Sequence, residues 1–233
     1  MARLPRLVIP HHPHHVIQRG IDCQAIFRDE EDYSVFLNWL GEASRQFKLA
    51  LHAYVLMPDH VHFLLTPSDA VGLGRMMQWI GRQYVPYFNR KYGRSGTLWQ
   101  GRFRATVLEA ESFAMLCSRY IELHPVRSGL VTEPEEYVWS SCQHHIGINP
   151  NPQIVDHATY WSLGNTPFQR EAAYRALLEE GLTAAEIEGL TEGTLKGWAL
   201  GPDRFKASLE KQAGRRVQPA RRGRPVKNQP NSI

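Results

Sequence analysis

The stretch LALHAYVLMPDHVHFLLT, residues 49–66, decides the architecture. Two runs rich in apolar and β-prone residues, 49–57 and 60–66, flank a Pro58-Asp59 turn, so the stretch reads as a β-hairpin. Side chains alternate along a strand, which sends His60 and His62 to one face and Val61 to the other. Two imidazoles on one face at that spacing can approach a single metal ion together. The pair alone is weak evidence, because a strand also carries histidines for structural reasons.

Working outward, residues 15–19 (HVIQR) form a short strand ended by an Arg-Gly turn. Residues 29–47 open with four acids, which suit a helix N-terminus, and then place Phe36, Leu40 and Phe47 at helical spacing. Residues 73–91 form a second helix, in which Pro86 predicts a kink or a break. Residues 99–108 (WQGRFRATVL) read as another strand, and residues 111–124 as a third helix stopped by Pro125. The order β, α, β-β, α, β, α predicts an α+β fold: a mainly antiparallel sheet of about four strands with helices packed on one face. Residues 1–132 hold that unit. Residues 133–213 follow as a connecting region and helical extension, irregular over 133–165 and helical over 168–190 and 202–212. From Gly214 to residue 233 the composition is that of a basic, disordered tail.

The chain has 233 residues, 42% of them hydrophobic and 21% charged, as in a globular protein with one good-sized core. No apolar run approaches the length of a membrane span, and no leader is visible at the N-terminus, so the expected location is the cytoplasm with no membrane partner. Cys23, Cys117 and Cys142 match neither a disulfide framework nor a zinc pattern and read as reduced thiols. The formal net charge of +4 conceals segregation. Residues 70–108 contain seven basic residues and no acid. Residues 204–233 contain nine basic residues against Glu210 alone, leaving residues 1–203 with 18 basic against 22 acidic. Two basic blocks on an otherwise acidic chain point to a polyanion, most simply nucleic acid; a solvated surface and a solubilising tail is the plainer alternative.

A third ligand would strengthen the histidine pair. Tyr120 and His124 lie four residues apart on one face of the third helix. If that face covers the His60–His62 strand, His124 becomes a ligand and Tyr120 a nucleophile beside the metal. A phenol, with a pKa of about 10, is a poor nucleophile near neutrality. A divalent cation that polarises the phosphate under attack and favours the phenolate makes the pair workable for phosphodiester chemistry. The alternative is that Tyr120 is a core aromatic beside Leu116 and Leu123.

The runs LHAYVLMPDHVHFLL, RSGTLWQGRFRATVLEAESF, SRYIELHPVRSGLV and YVWSS together resemble the REP-associated tyrosine transposases, a branch of the single-tyrosine HUH transposases, over roughly residues 1–150. The resemblance implies a ferredoxin-like palm whose central strand carries His60 and His62. It implies Tyr120 as the catalytic residue, and a divalent ion, Mg or Mn, held by those histidines and by the residue four after the tyrosine. It further implies attack on single-stranded DNA, giving a 5′-phosphotyrosine and a free 3′-OH that can later reverse the step. The position four after the tyrosine, normally Asn or Gln in that family, is His124 here. An all-histidine set shifts preference from Mg toward Mn or Zn; an impaired site is the other reading. Of the cluster His11, His12, His14 and His15, only His15 falls at the family's recurring position before the Arg-Gly turn; the other three read as surface residues.

DNA contacts are expected from Arg75, Arg82, Arg94, Arg102 and Arg104, with interleaved aromatics that are mostly core. In the tail, Arg222 and Arg224 within RRGRPVK resemble an AT-hook, which would enter an A·T-rich minor groove; a generic basic tail is the alternative. The expected partner is single-stranded or hairpin DNA. The expected activity is metal-dependent nicking and strand transfer, with a DNA-binding protein that no longer cleaves as the alternative. Related enzymes are dimers that share tyrosines or monomers with their own, and the long extension favours the monomer.

Overall fold

The computed structural model describes residues 6–219. Strand β1 (His14–Arg19) leads to α1 (Glu30–Gln46), then to the hairpin β2 (Leu49–Met57) and β3 (His60–Pro67), α2 (Gly72–Lys91), β4 (Arg104–Val107) and α3 (Ala110–Glu122). Short helical turns α4 (His124–Arg127), α5 (Cys142–His145) and α6 (Ala158–Trp161) precede three helices, α7 (Pro167–Glu180), α8 (Ala184–Lys196) and α9 (Asp203–Ala213). The sheet order is β2-β3-β1-β4, and every neighbour is antiparallel.

Local chemistry sets the element ends. The Asp29 carboxylate accepts from the Asp32 amide at 3.1 Å, which caps α1. The Glu109 carboxylate accepts from the Ser112 amide at 2.8 Å and starts α3 beside the sheet. Helix α2 continues through Pro86, which lies on its exposed side, away from the packed face. The expected strand over 99–108 is shorter, because Gly101 (φ +70°) turns the chain and ladder pairing resumes only at Arg104.

The α+β sheet forms as expected, but its helices do not lie on one face. Val61, Phe63 and Leu65 pack with Phe36, Leu40, Met76 and Ile80 of α1 and α2. Val55, Met57 and Leu64 pack on the other face with Cys117, Tyr120 and Ile121 of α3 and Leu190 of α8. The cause lies in β2 and β3, whose residues are buried on both sides; a strand apolar on both faces needs two layers of cover.

The connecting region is more than a linker. The Leu56 amide donates to the Trp139 carbonyl, the Ser141 amide to the Tyr54 carbonyl, and the Val155 amide to the Leu51 carbonyl, at 2.9, 3.0 and 2.8 Å. These bonds close the open edge of β2. Residues just after α9 also stay in contact with the fold: Val217 is buried, and its carbonyl accepts from the Ala199 amide at 2.9 Å. Among the described residues no helix is long and apolar enough to cross a membrane.

Candidate active site and nucleic-acid interface

The register of the sheet brings the titratable groups together. His62 on β3 is opposite Ile17 of β1 and Val55 of β2, and His15 is opposite Leu64, so His15, His60 and His62 share the face that α3 covers. The ring centroids of His60, His62 and His124 form a near-equilateral triangle with sides of 5.0, 4.9 and 4.9 Å. One ligand atom from each lies within 4.8 Å of the others, so the three could hold a metal ion. A second group of this kind is His144, His145 and Asp156.

Hydrogen bonds behind the triangle fix its protons. Asp59 Oδ1 lies 2.5 Å from His60 Nδ1, so that nitrogen carries the proton and Nε2 presents a lone pair. His124 Nε2 lies 3.1 Å from it and donates. His124 Nδ1 in turn accepts from Arg127 Nη2 at 3.1 Å. His62 Nδ1 faces His15 Nε2 at 2.9 Å, and His15 Nδ1 meets the Thr194 hydroxyl at 2.8 Å. His60 and His62 therefore fit a metal as they stand, each with its second nitrogen engaged. His124 fits once its Nε2 proton leaves and its contact with Arg127 opens.

Burial dominates the electrostatics. It pushes His62 well below the ordinary imidazole range, with His15, His124 and His60 adding to the effect. Burial and the Arg127 charge push His15 down to about 3. Burial, then His60 and Arg127, push His124 down to about 3. His15, His62 and His124 are therefore neutral near pH 7, which is the form of imidazole that binds metal.

Tyr120 lies against this cluster, its ring centroid 5.5 Å from His15, 5.8 Å from His62 and 6.3 Å from His124. The Arg127 guanidinium sits 4.5 Å over the ring and donates to the Tyr120 carbonyl at 2.8 Å. The phenol is only 4% exposed, because α8 lies over it, and its hydroxyl is 3.0 Å from the Thr191 hydroxyl.

Sequence reading placed Tyr120, His60, His62 and His124, and the fold brings all four together. His15 joins them, as its position before the turn suggested. His14, read as a surface residue, is fully buried: its Nε2 accepts from the Ile9 amide at 3.2 Å. Asp59, Arg127, Thr191 and Thr194 were missed. Asp59 had a signal, since a carboxylate next to a candidate ligand is a ready second partner. The two threonines had none, as they approach from α8.

Arg75, Arg82 and Arg102 are exposed and line one groove beside α2. Arg104 is exposed and donates to the Leu195 carbonyl at 2.5 Å. Arg94 is half-buried, its guanidinium 5.7 Å from the centre of the Phe88 ring. Lys91 is turned inward, pairing with Asp29, the cap of α1, and with Glu31 and Asp32 of its first turn. Arg222 and Arg224 lie outside the described residues.

Comparison with known proteins relates this arrangement to a family. The family described as "Transposase IS200 like" matches residues 10–124, from just before β1 to His124. Over that segment, just under half of its length, the chain is similar to the IS200-like transposases. Among solved structures it is similar to a REP-associated tyrosine transposase bound to a REP hairpin, with a TM-score of 0.54 and 17% identity over 68% of this chain and 93% of that one. A Deinococcus radiodurans protein described as a candidate transposase matches more weakly, with a TM-score of 0.36 and 20% identity over 50% of this chain and 93% of that one. No curated protein matches the chain.

Proposed function

We propose that this protein nicks and rejoins single-stranded DNA, at hairpins, through a phosphotyrosine on Tyr120. The observation that carries the reading is the His60–His62–His124 triangle directly beside the Tyr120 ring on a buried face of an IS200-like fold. In the forward step the Tyr120 oxygen forms a bond to phosphorus and the bond from phosphorus to the 3′ oxygen breaks. The phenolic proton leaves, and the departing oxygen takes up a proton to become a free 3′-OH. The reverse step, by attack of a 3′-OH on the phosphotyrosine, restores a phosphodiester without ATP because the ester bond is conserved.

His60, His62 and His124 would hold a divalent cation, which when bound polarises the scissile phosphate. Three imidazoles suit Mn better than Mg, which prefers oxygen ligands. Asp59 aims His60, and His15 aims His62, so neither ring needs to reorient. The Arg127 guanidinium, 4.5 Å over the Tyr120 ring, places a positive charge beside the nucleophile. The hairpin substrate is supported by the REP hairpin held by the structurally similar transposase. The extension folded over its own Tyr120 supports a monomer that uses its own nucleophile, and a DNA substrate supports a cytoplasmic enzyme.

Incubation of the protein with a labelled single-stranded hairpin and Mn²⁺ should trap a covalent adduct that survives denaturing electrophoresis. Tyr120→Phe should abolish the adduct and keep DNA binding. A second reading, a DNA-binding protein that no longer cleaves, is favoured by the cover of Thr191 over the phenol and by the Arg127 bond to His124. Hairpin binding by the wild type with no adduct in Mn²⁺ would establish that reading instead.

A further inference from the structure

The second ligand group, His144, His145 and Asp156, lies behind the tyrosine helix and takes no part in the proposed reaction. Its two histidines close the one-turn helix α5, and Asp156 follows Val155, whose amide is held by the Leu51 carbonyl of β2. Asp156 Oδ1 is 3.2 Å from His144 Nε2 and 3.9 Å from His145 Nε2. A tetrahedral zinc ion, with bonds of about 2.0–2.1 Å, sets its ligand atoms roughly 3.3 Å apart, so a modest closing of the group would reach that geometry. The two imidazole rings stand 5.2 Å apart at 77°, close to the 5.0 Å and 71° between His60 and His62.

The surrounding hydrogen bonds prepare one imidazole and restrain the other. The Glu122 carboxylate, fully buried, lies 2.7 Å from His145 Nδ1, so that nitrogen keeps its proton and Nε2 can turn a lone pair toward Asp156. A carboxylate behind a histidine is the usual support of a metal-bound imidazole, because it fixes tautomer and ring orientation together. His144 is set the other way: its Nδ1 accepts from the Asn151 amide at 2.9 Å, so Nε2 carries the proton and donates to Asp156. It becomes a ligand when that proton moves to Nδ1 and the Asn151 amide turns aside, and residues 147–150 next to it are exposed and free to yield. The His144 and Asp156 side chains are 17% and 19% exposed, which gives an ion a way in from solvent.

We infer that His144, His145 and Asp156 bind a divalent transition-metal ion of the zinc class, which fastens the connecting region to the back of α3. Two imidazoles and a carboxylate, with a fourth position taken by water, are a zinc donor set; Ca and Mg call for more oxygen. The ligands come from two segments that only folding brings together, so the bound ion adds to the stability of the fold. Through His145 and Glu122 the ion also reaches the helix that carries Tyr120. Neither Tyr120 nor the His60 triangle is among its ligands, and the inference stands apart from the nicking reading.

The test is calorimetric titration of the full chain with Zn²⁺ after dialysis against a chelator. The wild type should bind two ions, and His60→Ala/His62→Ala should keep one of them. Adding Asp156→Asn to that double variant should weaken the remaining site by more than the roughly tenfold that loss of even an outer partner costs. Asparagine can still accept from His144, which preserves the local fold. Zn²⁺ should raise the thermal midpoint of His60→Ala/His62→Ala and leave that of His60→Ala/His62→Ala/Asp156→Asn where it was. If the double variant does not fold, the single variant Asp156→Asn gives the same answer against the wild type, as one ion against two. The inference is overturned if His60→Ala/His62→Ala binds no Zn²⁺. It is overturned equally if Asp156→Asn changes neither affinity nor thermal midpoint, which would put the ion on other histidines such as His11 and His12. Failure of the nicking reading would show separately, as a missing DNA adduct with this Zn²⁺ still bound.

Discussion

Glu122 offers a test of how the tyrosine helix is held. It lies two residues after Tyr120, on the opposite side of α3, and its side chain is fully buried. One carboxylate oxygen accepts from His145 Nδ1 at 2.7 Å and from the Ser141 hydroxyl; the other accepts from the Tyr174 hydroxyl at 2.7 Å. The group thus ties α3 to α5 and α7. Glu122→Ala strands the buried His145 and Tyr174 donors, each costing about 1–3 kcal/mol, while the Ser141 hydroxyl keeps the Tyr54 carbonyl as an acceptor at 3.3 Å; it also removes one side of a buried ion pair, a change that costs about 3–5 kcal/mol. Since these are two views of one loss, the expected destabilisation is about 4 kcal/mol, read from urea unfolding at constant m-value. Burial alone would lower His145, but the Glu122 carboxylate, with Asp156, outweighs it and raises the imidazole above its ordinary value. A raised folded value means the stabilisation is complete below the unfolded pKa of about 6.5 and is lost as pH rises through the folded value. The gap between wild type and variant should therefore be widest below pH 6.5 or so and narrow as the pH rises above it. A loss under about 1 kcal/mol, or a gap that widens with pH, would refute the account.

Two further predictions concern the histidine triangle. Asp59→Asn removes the carboxylate that orients His60 and should weaken Mn²⁺ binding by about 10–100-fold in calorimetric titration; unchanged affinity would show that Asp59 does not aim the ring. His124→Gln replaces an imidazole by an amide oxygen and should shift metal preference toward Mg²⁺, measured as the ratio of adduct formed in Mg²⁺ to that in Mn²⁺. A ratio equal to that of the wild type would remove His124 from the ligand set.

Much of the palm was legible in residue order because its signals are local. The 49–66 hairpin is announced by its Pro-Asp turn and by apolar runs on both sides, and the acids at 29–32 mark the start of α1. His60 and His62 share a face by the two-residue repeat of a strand alone, whatever the rest of the chain does. Tyr120 and His124 are neighbours by the pitch of a helix. Two elements departed for reasons that are also local: Gly101 delays β4, and Pro86 is tolerated where α2 faces water.

What the tertiary structure decided is which of these local faces meet. Period alone says that β3 has two faces, and only packing shows that α1 and α2 take the Val61–Phe63 side while α3 and α8 take the histidine side. The sequence by itself determined the strand with its two imidazoles and the helix with its tyrosine. Their convergence, and the arrival of Thr191 on Tyr120 across 71 residues and of Thr194 on His15 across 179, came from burying apolar surface on both sides of one sheet. Such contacts leave no trace in spacing, because the hydrophobic effect that drives them has no direction along the chain.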